Sequence, residues 1–124
     1  AGYVDCVGYR CGIGGCFQGY DHIAGKTFST WELPLIVMDG VLSLQYGDGA
    51  IAAFERILKH LACVGGAVSV LCHPDMFYNP DYPNMIGLYE NMLMVSKKYG
   101  YCSETASSLY QRIPYRLRRN DLHK

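Results

Sequence analysis

Three short apolar runs, each closed by a polar residue and then a breaker, set the pattern of the chain. Tyr3 to Cys11 (YVDCVGYRC) is rich in Val, Tyr and Cys and reaches Arg10 before Gly12, Gly14 and Gly15 interrupt it. Leu33 to Met38 (LPLIVM) is apolar throughout and ends at Asp39-Gly40. Ala67 to Cys72 (AVSVLC) starts after Gly65-Gly66 and ends at His73-Pro74. Runs of this length between turn signals predict buried strands. Unbroken apolarity is what a strand covered on both faces of a parallel sheet requires.

The stretches between them have a different period. Asp48 is placed to cap a helix from about Ala50 to Ala62. Ile51, Phe54, Ile57, Leu58 and Leu61 share one face of it, with Glu55, Arg56 and Lys59 off that face and His60 a surface residue. Residues 33–73 therefore read as strand, loop, helix, strand: a βαβ unit with a right-handed crossover. After Phe77 the stretch YNPDYP is turn-rich, and Pro83 suits the first turn of a helix running to about Lys98. Met85, Leu88, Tyr89, Met92, Val95 and Tyr99 recur along it at helical spacing, as core and groove filler rather than as ligands. Gly100 stops this helix. Tyr101-Cys102 reads as a very short strand, and Ser103 as the cap of a last helix carrying Ala106, Leu109, Tyr110 and Ile113. Residues 16–30 show no sustained period and hold Gly19 and Gly25, so they read as a loop. Gly25-Lys26-Thr27 imitates the end of a phosphate-binding loop, but that motif needs glycine where Tyr20 stands, and it is rejected.

Composition narrows the class. The chain has 124 residues, half of them hydrophobic and 18% charged, a balance that suits one globular domain. Eleven acids and eleven bases cancel, so no bulk field draws the chain to nucleic acid or to an anionic membrane. No apolar run approaches the ~20 residues of a membrane span. The C-terminal crowd of Arg112, Arg116, Arg118, Arg119 and Lys124 reads as a solvated helix end. Of the six cysteines, Cys63 and Cys72 fall in apolar runs, where they read as small buried hydrophobes. No C-x-x-C pair is present, and Cys6, Cys11 and Cys16 recur every five residues, which matches no ligand spacing. Free thiols in a reducing compartment, the cytoplasm, are the expectation. No signal peptide is visible, although the chain begins at Ala1 rather than at a methionine.

Arg10, Asp39 and His73 stand at the C-terminal ends of the three runs. If those strands are parallel neighbours, the three side chains meet at one rim, where parallel α/β proteins bind ligands. A histidine oriented by a carboxylate is a general acid or base, and an arginine beside them can hold a further carboxylate or an oxyanion. Each residue also has a plainer role. His73 can bond to a backbone carbonyl at a strand end, and Asp39 can cap a turn before glycine.

The ordered segments VGYRCG, LPLIVMDG with its following VL, and VLCHPDMF resemble the C-terminal half of a polysaccharide deacetylase, the group also called carbohydrate esterase family four. The resemblance spans about residues 4–113, including the helix between the runs and the helix after YGYCS. It implies an α/β fold: the C-terminal portion of a distorted (β/α) barrel with parallel strands, residues 1–124 forming a single domain within it. It also implies a hydrolase that removes acetyl groups from amino sugars of a glycan or glycan precursor. His73, in Leu71-Cys72-His73, matches the family's leucine-x-histidine motif and would be the general acid for the leaving amine. Asp39 would orient it, Arg10 would pair with the catalytic base, and Trp31 would line the sugar groove. The family's divalent metal, often zinc, is held by an aspartate and two histidines that belong upstream of residue 1. His22, His60 and His123 are scattered and do not replace them, so no metal ligand is assigned in this chain. Partners implied are the glycan and the N-terminal half of the barrel. Alone, the chain is expected to hydrolyse nothing. The segment after Arg10, Cys-Gly-Ile-Gly-Gly, departs from the proline-aromatic sequence common in the family. A rival reading is a sugar-binding or structural domain of the same shape that has lost catalysis. An aspartate pair and a paired-histidine motif upstream would favour the enzyme. A third is a small free-standing α/β protein whose open sheet edge a partner covers.

Overall fold

The computed structural model describes residues 7–9 and 12–112. The chain is mixed α/β and divides into two compact units, Ala1–Gly15 with Pro34–Cys102, and Cys16–Leu33 with Ser103–Lys124.

The larger unit is built on a parallel strand pair. Strand β3 (Leu35–Met38) pairs with β4 (Ser69–Leu71), with Leu35 opposite Ser69, Val37 opposite Val70 and Met38 opposite Leu71. The connection between them is helical: α1 (Asp39–Tyr46), a single 3-10 turn over Gly47–Gly49, and α2 (Ala50–Val64). The parallel βαβ arrangement expected for residues 33–73 is thus present, with one difference. Asp39-Gly40 does not end the strand in a loop; it opens a helix, because Val41 and Leu42 bury against the same core as β3. Asp48 lies in the 3-10 turn, and the cap position of α2 is Gly49, with no side-chain cap bond. Helix α3 (Met85–Lys98) comes after a turn-rich segment and starts after Asn84, which sits in the left-handed region at φ 64°.

The core lies among β3, α1, α2 and α3. Ile36, Val37, Leu42, Ala53, Phe54, Leu58, Met85, Leu88 and Met92 form one buried cluster. Each large apolar side chain in it contributes about 1.5–3 kcal/mol by leaving water. The C-terminal end of α3 is tied to α2 by polar side chains. The Tyr99 hydroxyl donates to Glu55, Lys98 Nζ lies 3.3 Å from the same carboxylate, and the Tyr101 hydroxyl donates to the Leu58 carbonyl at 2.7 Å. The Tyr99 bond first, and then that of Lys98, hold the Glu55 carboxyl below its ordinary value. The turn into β4 depends on glycine: a Cβ on Gly66, at φ +148°, would lie 2.2 Å from the Gly14 carbonyl oxygen. That carbonyl accepts the Ala67 N–H at 2.9 Å.

Several expectations need correction. Residues 16–30 are not a loop. Strand β1 (Phe17–Asp21) and strand β2 (Lys26–Glu32) form an antiparallel hairpin, the sheet of the smaller unit. Thr27, Phe28, Thr30 and Trp31 have strand preference, and the turn is built by Asp21, whose Oδ1 accepts the N–H groups of Ile23 and Ala24 at 2.9 and 3.0 Å. Gly25, at φ +65°, completes it. The glycines that read as loop signals therefore serve a turn and a bulged strand. Tyr101 and Cys102 form no strand; Tyr101 is drawn to α2 instead. The last helix, α4 (Ala106–Arg112), is capped by Thr105, whose Oγ1 accepts the Ser108 N–H at 3.1 Å, rather than by Ser103. Cys63 is exposed near the end of α2, since the apolar face of that helix passes through Leu58 and Leu61 and misses it. Cys16, Cys63, Cys72 and Cys102 are all free thiols. Of the expected first strand, residues 7–9 are described and are not a strand, though the Gly8 N–H donates to the Ile36 carbonyl at 2.9 Å. The rest of that run, like Ile113, lies outside the described residues. Among the described residues no helix is long and apolar enough to cross a membrane.

Candidate functional site

The parallel pairing of β3 and β4 brings both strands to the same end of the sheet, so the residues after Met38 and those after Leu71 must meet there. Asp39 is the next residue after β3, and His73 is the second after β4. The Asp39 carboxylate is 2% exposed. A carboxylate that buried needs hydrogen bonds to each oxygen. It has three. Oδ1 accepts the Gly40 N–H at 2.7 Å, and it lies 2.6 Å from His73 Nδ1. Oδ2 accepts the His73 backbone N–H at 2.7 Å.

This arrangement fixes the imidazole. An ionised carboxylate can only accept, so Nδ1 carries the proton that it shares with Asp39. Nε2 is then left as the ring's other polar atom, on a side chain 32% exposed. His73 is thus a partly open imidazole held from its buried side. Asp39 also stands in the first turn of α1, where the helix dipole favours a negative charge. The segment after His73 closes back on the same place. Pro74–Met76 forms a 3-10 turn whose Met76 N–H donates to the His73 carbonyl at 2.9 Å. The Met76 sulfur lies against Gly40, 3.6 Å from where a Cβ would stand. Cys72, between β4 and His73, has its thiol pushed up to about 11, by burial first and by the Asp39 charge second.

Of the four residues singled out in the sequence, the structure brings Asp39 and His73 into direct contact. Arg10 lies outside the described residues. Trp31 lies in β2 of the smaller unit, half-buried and opposite Gln18. The residues that the sequence does not point to are Gly40 and Met76. Gly40 supplies an N–H to Asp39 and, having no side chain, lets Met76 come close. The signal for them is the Asp39-Gly40 pair itself, which reads as a breaker but starts a helix.

Among the described residues, no three His, Cys, Asp or Glu side chains converge as metal ligands. Asp39 and His73 satisfy each other. The pair can move a proton at Nε2 while Asp39 stabilises the ring's orientation. No family model, no curated protein and no solved structure matches this chain.

Proposed function

We propose that the chain is the C-terminal part of a polysaccharide deacetylase-like (β/α) barrel, and that its parent removes acetyl groups from amino sugars of a glycan. The observation that carries this reading is the bond from His73 Nδ1 to the buried Asp39 carboxylate at the shared end of two parallel strands. In amide hydrolysis the amine is a poor leaving group unless it is protonated as the C–N bond breaks. His73, with both ring nitrogens protonated, would deliver the Nε2 proton to the leaving amine and be left as the Nδ1–H imidazole, while Asp39, by holding Nδ1–H, would keep Nε2 directed outward. By resemblance, Arg10 would pair with the catalytic base and Trp31 would line the sugar groove. A divalent metal, zinc by the same resemblance, would supply the activated water. Its ligands would belong to the preceding half of the barrel, which is also the partner this chain needs. A reducing, cytoplasmic setting agrees with the free thiols.

A second reading has its own support. Two of the three bonds to Asp39 come from backbone N–H groups, of Gly40 and His73. Asp39 would then be a structural clasp joining two strand ends, in a domain that binds sugar without turning it over. One experiment separates the two. Acetate release from N-acetylglucosamine oligomers is measured for the full-length parent protein supplied with zinc, as wild type and as His73→Ala. The catalytic reading expects turnover to fall by about 10²–10⁴-fold with KM changed much less. No acetate release from the wild type, or turnover equal in the two proteins, would leave the clasp as the role of the pair.

A further inference from the structure

Helix α2 carries a second set of polar side chains, which shares no residue with the Asp39–His73 pair. From Ala53, the residues Arg56, Ile57 and His60 lie three, four and seven positions on, so the four form one stripe along the helix. Ala53 is 3% exposed, whereas Arg56 and His60 are open to solvent. Together with Tyr9 and Tyr46, the stripe lines an open recess of about 230 Å³. The Tyr9 hydroxyl donates to the Ile57 carbonyl at 3.2 Å, which fixes the ring, and that ring meets His60 at 5.3 Å between centroids. The Arg56 guanidinium stands over the Tyr46 ring, 6.0 Å from its centre, at the outer limit of a cation–π contact. A guanidinium over a ring keeps its N–H fork for another partner. Among the described residues no carboxylate takes that fork: Asp39 binds His73, Glu55 binds Lys59 and Lys98, and Glu104 binds Arg112. Nor does any described acidic side chain line the recess.

We propose that this recess binds a small monocarboxylate with a flat apolar body, an aryl-substituted carboxylic acid in chemical class. Arg56 takes the carboxylate through paired N–H···O bonds, with His60 beside it, and the ring of the ligand lies against Tyr9 and Tyr46 over Ala53 and Ile57. The charge of the lining attracts an anion and repels an amine. Pockets for drug-sized ligands run to about 300–1,000 Å³, so this one takes a smaller molecule and excludes a nucleotide. Inorganic phosphate could pair with Arg56 but would leave the aromatic and aliphatic walls in water. A neutral ring would cover the walls and leave the guanidinium fork unused. None of this rests on the deacetylase reading.

The full chain, isotope-labelled, is titrated with phenylacetate and followed by its amide chemical shifts. Saturable shifts are expected at Tyr9, Arg56, Ile57 and His60, with none at Gly40 or His73. Phenylacetamide keeps the ring without the charge, acetate keeps the charge without the ring, and each should bind about 10-fold more weakly. Arg56→Gln should weaken phenylacetate binding by about 10-fold, and Arg56→Lys, which keeps the charge but not the fork, by less. Lys98→Gln removes an exposed cation from α3 and should leave binding unchanged. Arg56 is exposed, so its variants keep the fold, and unmoved amide shifts along α3 report that they do. The proposal is overturned by the absence of a saturable shift, by equal affinity for phenylacetate and phenylacetamide, by tighter binding of inorganic phosphate, or by equal losses in Arg56→Gln and Lys98→Gln. Shifts centred on Gly40 and His73 would place the ligand at the other site and overturn it as well.

Discussion

The two sheets, each of two strands, are held in opposite ways. The parallel pair β3–β4 is stabilised from outside its own ladder. Ile36 and Val37 are at most 2% exposed, buried under α1, α2 and α3, and the Ser69 hydroxyl and the His73 backbone N–H bind across to Pro34 and Asp39. The hairpin β1–β2 has little such cover, since every residue of β2 except Trp31 is exposed. What defines it is local: the Asp21 turn, Gly25, and cross-strand neighbours. Parallel strands cannot be joined by a tight turn and need helices over them, whereas an antiparallel pair can be specified by its turn. Substitutions in the two regions should therefore differ in size and in what they disturb.

The largest expected effect is in the cover of the parallel pair. Phe54 is 2% exposed in the middle of the core cluster. Phe54→Ala should cost about 3–5 kcal/mol, as a transfer loss plus a cavity, measured by urea unfolding. A loss under about 1 kcal/mol would mean that α2 does not hold β3 as described.

Next is the latch at the strand ends. Asp39→Ala removes the acceptor of three donors, two of them backbone, and should cost about 2–3 kcal/mol. Asp39→Asn keeps the shape and one acceptor, and should cost less. If both variants unfold at the same urea concentration as the wild type, the pair contributes nothing to joining β3 and β4, and chemistry alone would have to account for its geometry.

These contrasts explain what is legible in the sequence. The run LPLIVM announces its strand because burial on two faces leaves an uninterrupted apolar signature, whereas AVSVLC is equally apolar but, contrary to the expectation of a buried strand, lies half-open at the edge of the pair, with Val70 and Leu71 exposed. Their polar ends point to Asp39 and His73 for a related reason: parallel strands bring the residues after them together. The hairpin is illegible because its order comes from turn chemistry and not from burial. With both faces largely exposed, Gln18 to Glu32 has no period to detect, and Gly19 and Gly25 look like breaks. Helix α1 is hidden similarly. Its eight residues are too few to show a period, and the Asp-Gly at its start imitates a turn. The cap of α4 lies two residues beyond the expected Ser103, at Thr105, because either hydroxyl could serve and tertiary context chooses.

A smaller effect belongs to the hairpin. Gly25→Ala puts a side chain at φ +65° and should cost about 1–2 kcal/mol locally. It should appear as faster amide exchange at Phe17–Asp21 and Lys26–Glu32, with exchange in α2 unaltered. Slowed exchange in the hairpin, or an equal change in α2, would show that the turn does not define β1–β2.

The mildest probe leaves the fold untouched and compares the thiols beside the two sheets. Cys16 precedes β1, and burial raises its thiol above the ordinary value. Cys72 comes just after β4, and burial together with the Asp39 charge pushes its thiol further, to about 11 from 9.0. Only the thiolate attacks iodoacetamide, so at pH 8 that shift leaves Cys72 about 100-fold less thiolate than an unperturbed thiol. Cys63 and Cys102 are exposed and should alkylate first, Cys16 later and Cys72 last, as read by peptide mass spectrometry over time. In Asp39→Asn the charge is gone and the burial remains, so Cys72 should speed up while staying slower than Cys63. The sign comes from the cause: a neighbouring negative charge disfavours forming a second one. If Cys72 labels as fast as Cys63 in the wild type, the end of β4 is open to water, and the enclosed environment assigned to Asp39 is wrong with it.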